Sequence, residues 1–518
     1  MADISKIKLG NTNYNIKDAV LRNKLLITTP EIYGAVGDGT TNDTTAFTNA
    51  LNSGKAVYVS KTYKLNNIEV SKNNLYVFGH GTLDFSASKG GLKITGNNNT
   101  FDGVEFIGNE YSSGSLVATK TFLHFVGDNN VATNCKFSGG NCSGIQITGN
   151  SNEVTYCYFN RCNSHPADGA DWGSIWFTND SEASTPMYSN NIIVGNTIEE
   201  FDYSGICMIG KYKNTTISKN KIKSTNTQYT MGIYMFAGCL EGCIIDGNNI
   251  ETIYNEGIVL TESVANYISN GVVICNNILK DCSQRSIAYA GTASVNGGNA
   301  LIENNVINGV CAYPIQLAHM KKGTISNNFI KTSSTTGACV YAIEDVENLN
   351  ACGNTIEGNS IGIMTGADSI INNNILKNNT TGVVIFAPDT IAVEVSNNNF
   401  IGCTIAISGN GTTAPAYSLA NGNTFKNCTT LTRNAVSVFG FEKNVAVPSG
   451  FTGTLSNGSA TIRVYAGRAN DGWIAIPIGG TGSGALSCTY NQSNTTVTVN
   501  STSNSDTRTV MIIKAVNG

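Results

Sequence analysis

The stretch ADGADWGSIWFTND, residues 167–180, concentrates chemistry that the rest of the chain lacks. Two of the three tryptophans, Trp172 and Trp176, stand four residues apart, among Asp168, Asp171 and Asp180, with His165 just upstream. Indole rings stack on the apolar faces of sugars. Glycoside hydrolysis needs two carboxyl groups, one of them protonated to donate to the leaving oxygen. Two carboxylates about 5 Å apart raise one pKa between them and so supply that acid. Elimination from a uronate needs a base instead, with Arg, His or Ca²⁺ neutralising the sugar carboxylate.

Further groups of the same kind follow at regular spacing. The signature recurs as SGICMIG, MGIYMFA, EGIVLTE, RSIAYAG, YPIQLAH, IGIMTGA and TGVVIFA. Anchored on its Ile, it aligns Ile175, Ile206, Ile233 and Ile258. Four residues earlier stand Asp171, Asp202, Tyr229 and Tyr254; two earlier stand Gly173, Ser204, Met231 and Glu256, with Arg285 one repeat on. One residue later stand Trp176, Cys207, Tyr234 and Val259. If these are neighbouring strands, Asp171 and Asp202 meet across one step of about 5 Å, and Glu256 and Arg285 follow along the same edge. The catalytic candidates are therefore Asp171, Asp202 and Glu256. The substrate-binding candidates are Trp172, Trp176, Tyr234, Arg285 and His165. The plainer alternative is that the aspartates end turns by accepting backbone N–H bonds. Glu262, His319, Glu344 and Asp345 fall on the other rim, and Glu199 and Glu200 directly follow an anchor residue.

The elements that position these residues are repeats. GNTI, KNKI, GNNI, CNNI, ENNV, SNNF, GNTI, NNNI, NNNF and GNTF end at residues 198 to 425, mostly 23–28 apart. The Asn two before each anchor is Asn196, Asn220, Asn248, Asn276, Asn304, Asn327, Asn354, Asn373, Asn398 or Asn423. Asn tolerates a left-handed turn, and its amide can bond up and down a stack. A third short strand precedes each Asn, as in VVICN and ALIEN. Three short strands per repeat cannot bury a face alone, but stacked coils can. The pattern predicts an all-β, single-stranded parallel β-helix with three strands per coil. Its longest turn lies between Phe159 and Ile175, where an insertion on a regular solenoid carries function rather than stability.

At the N-terminal end NDTTAFTNAL reads as a short amphipathic helix with an Asn or Asp cap, and AVYVSKTYKL as strands. The expected organisation is an attachment or stem segment over 1–28, a cap and first coils over 29–100, the helix proper over 101–440 and a small β-rich domain over 445–518. Trp473 in the last part is a platform for sugar or an ordinary core residue.

Composition narrows the partners. Charged residues are 13% and the formal net charge is −4. No basic run long enough to grip phosphates occurs, so nucleic acid is not expected. No apolar stretch of about 18 residues is present to span a membrane. The N-terminus MADISKIKLGNTNYNIKDAV lacks a signal-peptide core, so release by lysis is the expected route out. The 15 cysteines show no zinc-type spacing and read as small buried side chains in a protein made in a reducing cytosol.

The segment YGAVGDGTTNDTTAF followed by AVYVSKTYKL resembles the N-terminal segment of pectate-lyase-superfamily β-helix proteins, and with the repeats the resemblance covers roughly residues 30–435. Ser60 stands where that family often has Pro. Residues 1–28 resemble the short leaders of phage tail proteins. The resemblance implies a right-handed β-helix with a helix capping its open end, and a substrate cleft along one sheet walled by longer turns. It further implies a phage tailspike-like or tail-fibre-like homotrimer in the virion tail, joined to tail or baseplate proteins through its N-terminus. Such a protein would bind and depolymerise a bacterial surface polysaccharide as a glycosidase or lyase. No cofactor is expected, except Ca²⁺ if the chain is a lyase. A non-catalytic receptor spike, a bacterial polysaccharide lyase or epimerase, and a purely structural solenoid are the alternatives. No Asp-Asp pair with a nearby Gly-His-Gly is present, which argues against polygalacturonase-type chemistry.

Overall fold

The structure is a computed structural model that describes residues 6–9, 12–15, 26–88, 90–108, 121–140, 143–162, 173–177, 188–226, 229–236, 240–262, 271–292, 297–333, 337–346, 348–366, 368–386, 393–409, 419–433, 438–439, 452–454, 456, 459–463, 472–491 and 496–515. The chain divides into two compact units, Met1–Cys311 and Ala312–Gly518.

In the first unit each coil contributes three short parallel strands. One inward column runs Ile193, Ile217, Ile245, Ile274 and Ile302 in register. A second runs Ile198, Ile222, Ile250, Leu279 and Ile307. A third runs Ile206, Ile233, Ile258 and Ile287. All of these side chains are buried. β-Branched residues suit this site because each packs on its counterpart one strand spacing away. In earlier coils the second column is aromatic: Phe106, Phe137 and Phe159 stack with centroids 4.7 and 4.8 Å apart.

The expected cap is a helix over Thr44–Asn52 that buries Phe47, Ala50 and Leu51. Asp43 occupies its N-cap position but makes no side-chain cap bond. Its carboxylate instead accepts the N–H groups of Val36 (2.8 Å) and Gly37 (3.0 Å), while Asn42 Oδ1 accepts Thr44 N–H at 3.1 Å. Asp43→Ala is therefore expected to cost about 2–3 kcal/mol through two lost charge-assisted bonds, read as a lower urea midpoint. Of the N-terminal segment, Lys6–Leu9 and Thr12–Asn15 pair antiparallel.

The second unit repeats the coil. Ile330, Ile356, Leu376, Phe400 and Phe425 form one column, and Val340, Ile363, Val383 and Ile407 another. Two three-stranded antiparallel sheets follow between Thr452 and Ala515. Trp473 lies in the strand Gly472–Gly479, but its side chain is outside the described residues.

The asparagine repeat differs from the sequence expectation by one residue in four coils. Asn276, Asn304, Asn327 and Asn373 adopt left-handed backbone, with φ between 54° and 56°. The buried ladder belongs to the residue after each. In the first unit it runs Asn196, Asn220, Asn248, Asn277 and Asn305, each backbone N–H donating to the next Oδ1 at 2.9–3.0 Å. Each Nδ2 donates to that same Oδ1 and to a carbonyl of the adjoining strand, as Asn248 does to Asn277 Oδ1 and Ile217 O. In the second unit it runs Asn328, Asn354, Asn374, Asn398 and Asn423. Elsewhere the left-handed residue before the ladder is Gly195, Lys219, Gly247, Gly353, Asn397 or Gly422. One Asn was expected to serve as both turn and ladder, but a left-handed residue and a ladder residue divide the work. Accordingly Ile278, Phe329 and Ile375 face outward, 47%, 42% and 39% exposed, while Leu279, Ile330 and Leu376 are buried. A second ladder through Asn99, Asn130, Asn152 and Asn191 holds another corner of the early coils.

Candidate functional site

The strands Gly173–Phe177, Ser204–Ile209, Met231–Phe236, Glu256–Thr261 and Arg285–Ala290 lie side by side in one parallel sheet of the first unit. Their register is the one the GI signature implies. Ile175 pairs Ile206, Ile233, Ile258 and Ile287 in turn, with Trp176, Cys207, Tyr234, Val259 and Ala288 beside them. Gly173, Ser204, Met231, Glu256 and Arg285 form the row before. The glycine of the signature is set by close approach rather than by φ. A Cβ on Gly232 would come within 2.5 Å of Gly257 O, and one on Gly257 within 2.6 Å of Ser286 O.

Glu256 and Arg285 meet across one strand step, with Arg285 Nε 3.0 Å from Glu256 Oε1. The carboxylate side chain is 13% exposed and the guanidinium side chain 37%. Burial pushes the Glu256 pKa up, and Arg285 only partly offsets it. A carboxyl whose pKa is raised by burial is a candidate acid.

An aromatic surface adjoins this pair. Tyr234 meets Tyr203 edge-on at 6.1 Å and stacks with Phe236 at 5.8 Å. Tyr203 and Tyr234 pack against a buried cluster of Met231, Val259 and Ala288. Trp176 is half-buried one strand step beyond Cys207, and Asp202 is half-buried just before the strand Ser204–Ile209. Tyr203 and Phe236 were not singled out from sequence. The former sits beside Asp202 and the latter at the end of a GI strand, so alternation along the strand is the signal that would have found them.

His165, Asp171 and Trp172, with Asp168 and Asp180, lie outside the described residues. The expected Asp171–Asp202 pairing therefore lies outside them too. On the other rim, Glu262 is buried, accepting Tyr289 O–H at 2.5 Å and Gly298 N–H at 3.0 Å. Its oxygens thus tie a turn to the sheet and do not face solvent. Glu199 accepts Tyr158 O–H at 2.9 Å and Glu200 accepts Thr225 Oγ1–H at 2.7 Å, which makes both coil-to-coil braces. His319 stands in left-handed backbone with φ 50°. The side chains of Glu344 and Asp345 lie outside the described residues. Among the described residues no three His, Cys, Asp or Glu side chains group to hold a metal ion, and no helix is long and apolar enough to cross a membrane.

Residues 185–311 and 275–430 match the family described as a right-handed β-helix region. Among solved structures the chain is similar to the Dettilon tailspike protein, at 15% identity and TM-score 0.50, covering 96% of this chain and 94% of that one. It is also similar to a mutant tailspike protein of E. coli bacteriophage HK620 in complex with a pentasaccharide, at 12% identity and TM-score 0.51, covering 98% and 96%. The shared fold is the right-handed parallel β-solenoid, the parallel β-helix that the sequence repeats imply with the hand that the family resemblance implies.

Proposed function

We propose that this right-handed parallel β-helix protein is a tailspike-like receptor-binding protein that binds a bacterial surface polysaccharide and cleaves it by hydrolysis. The observation that carries the reading is Glu256, whose carboxyl pKa burial raises against the pull of Arg285, one strand step from the strand that carries Tyr234 and Phe236. The rings offer stacking faces to sugar, and the acid donates to the leaving oxygen. The neighbouring tailspike whose structure holds a pentasaccharide supports the substrate class. Arg285 positions the acid and binds polar sugar groups; Trp176 extends the platform.

Asp202 is the carboxylate that activates water. It precedes by two residues Ser204, which stands two strand steps from Glu256 in register, a main-chain separation of about 12 Å that lies nearer the about 6.5–9.5 Å of an inverting pair than the about 5 Å of a retaining pair. Asp171, Trp172 and His165 belong to the same wall in this reading. A homotrimer in a virion tail, joined to tail proteins through the N-terminal segment, completes the proposal. It needs no cofactor; a lyase reading would call for Ca²⁺ or a cation such as Arg285 at a uronate.

The test is digestion of purified polysaccharides from candidate hosts, read by mass spectrometry and by NMR of the first-formed anomer. Fragments with inverted configuration from wild type, absent with Asp202→Asn, are the expected result. Products lighter by one water would replace hydrolysis with elimination. Binding without fragments would leave a non-catalytic receptor spike.

A further inference from the structure

Two pairs of cysteines stand one above the other on successive coils. Cys135 and Cys157 fall between the paired positions Thr133↔Thr155 and Lys136↔Tyr158. Cys403 and Cys428 fall between Ile401↔Lys426 and Ile405↔Thr430. The offset is the same on both sides of each pair, so each is directly opposed, one strand spacing of about 4.8 Å apart. That spacing lies inside the Cα window of about 4.4–6.8 Å that a disulfide requires.

Their surroundings separate the two pairs. Cys135 and Cys157 are buried, and burial pushes the Cys157 thiol well up. Cys403 is buried, but Cys428 is half-buried and flanked by exposed Lys426, Asn427 and Thr429. A hydrogen bond from the Cys403 thiol brings Cys428 down to about 7, and burial only partly opposes it. Cys428 is thus the more accessible and more acidic thiol of the pair, with a partner thiol directly opposite it, the arrangement that favours exchange.

We propose that Cys403 and Cys428 form a disulfide when the folded chain meets a small-molecule disulfide, stapling two successive coils near the end of the solenoid. The Cys428 thiolate attacks one sulfur of RS–SR, the S–S bond breaks, and RS⁻ leaves with the electron pair. Cys403 then gives up its proton to solvent and attacks the Cys428 sulfur, expelling the second RS⁻. Two protein thiols are oxidised and one RS–SR is reduced to two RSH. Solenoids unravel coil by coil, so a cross-link near an end slows loss of the coils behind it. The proposal is independent of the polysaccharide reading.

Full-length protein, purified reduced and desalted, is treated with oxidised glutathione in mildly alkaline buffer, quenched with N-ethylmaleimide and mapped by mass spectrometry. The expected result is a Cys403–Cys428 cross-linked peptide, with Cys135 and Cys157 alkylated only after denaturation. Cys403→Ser should stop at a glutathione adduct on Cys428, and Cys428→Ser should give neither product. A persistent adduct on Cys428 in wild type, or two thiols that both remain alkylatable, would overturn it.

Discussion

Asn248→Ala is expected to lower stability by about 3–5 kcal/mol, because it orphans buried donors at about 1–3 kcal/mol each. Asn248 Oδ1 accepts both the backbone N–H and the Nδ2 of Asn220, at 3.0 and 2.9 Å. Its own Nδ2 satisfies Ile217 O and Asn277 Oδ1. The corner is closed off from bulk solvent, since Asn220, Asn248 and Asn277 are each at most 1% exposed. The comparison that isolates the ladder is Asn276, adjacent in sequence to Asn277 but with φ 56° and an exposed bond to Asp246. Asn276→Gly should be close to neutral, whereas Asn276→Ala should cost about 1–2 kcal/mol for the left-handed backbone alone. Urea unfolding gives the global value. Native-state hydrogen exchange at the Asn220 amide reads the local one, which matters in a solenoid whose coils need not unfold together. Equal costs at Asn248 and Asn276 would reject the division between turn and ladder.

Glu256→Gln is expected to reduce cleavage of the polysaccharide by about 10²–10⁴-fold, the usual contribution of a positioned general acid, with binding retained. The same substitution carries a stability signature that does not depend on activity. The Glu256 pKa lies above its ordinary value of 4.5 in the folded chain. Below 4.5 both folded and unfolded forms hold the proton, so wild type loses nothing to this group. As pH rises past that value the unfolded chain ionises first, and wild type loses stability until the folded carboxyl ionises too. Glu256→Gln should therefore gain stability relative to wild type as pH rises through that window, read as the difference in urea midpoint. A difference flat with pH would mean that Arg285 holds the carboxyl at its ordinary value, and the acid assignment would fall with it.

Much of the scaffold was legible from residue types. The GI signature fixed which residues stand opposite each other, and Glu256 opposite Arg285 follows from counting along the chain. The repeat anchored on GNTI read correctly because Gly at the left-handed position leaves one Asn for the ladder, as at Gly195 and Asn196. It slipped at CNNI, ENNV, SNNF and NNNI. There Asn takes both positions, and a one-letter pattern cannot distinguish two amides that differ only in φ. Glu262 reads on paper like any exposed acid after a GI strand; the Tyr289 hydroxyl and the Gly298 N–H bury it from coils farther along the chain.

The sequence by itself determined a parallel β-helix with three strands per coil, its capping helix, the row that carries Trp176 and Tyr234 and the row that carries Glu256 and Arg285. These follow from periodicity, because stacked coils repeat the chain's own spacing in space. Only the tertiary structure decided which Asn is the ladder, that Tyr203 and Phe236 join Tyr234, and that burial raises the Glu256 pKa in spite of Arg285. Burial and hydrogen-bond partners come from neighbouring coils some twenty to forty residues away, and no local spacing encodes how much water those neighbours exclude.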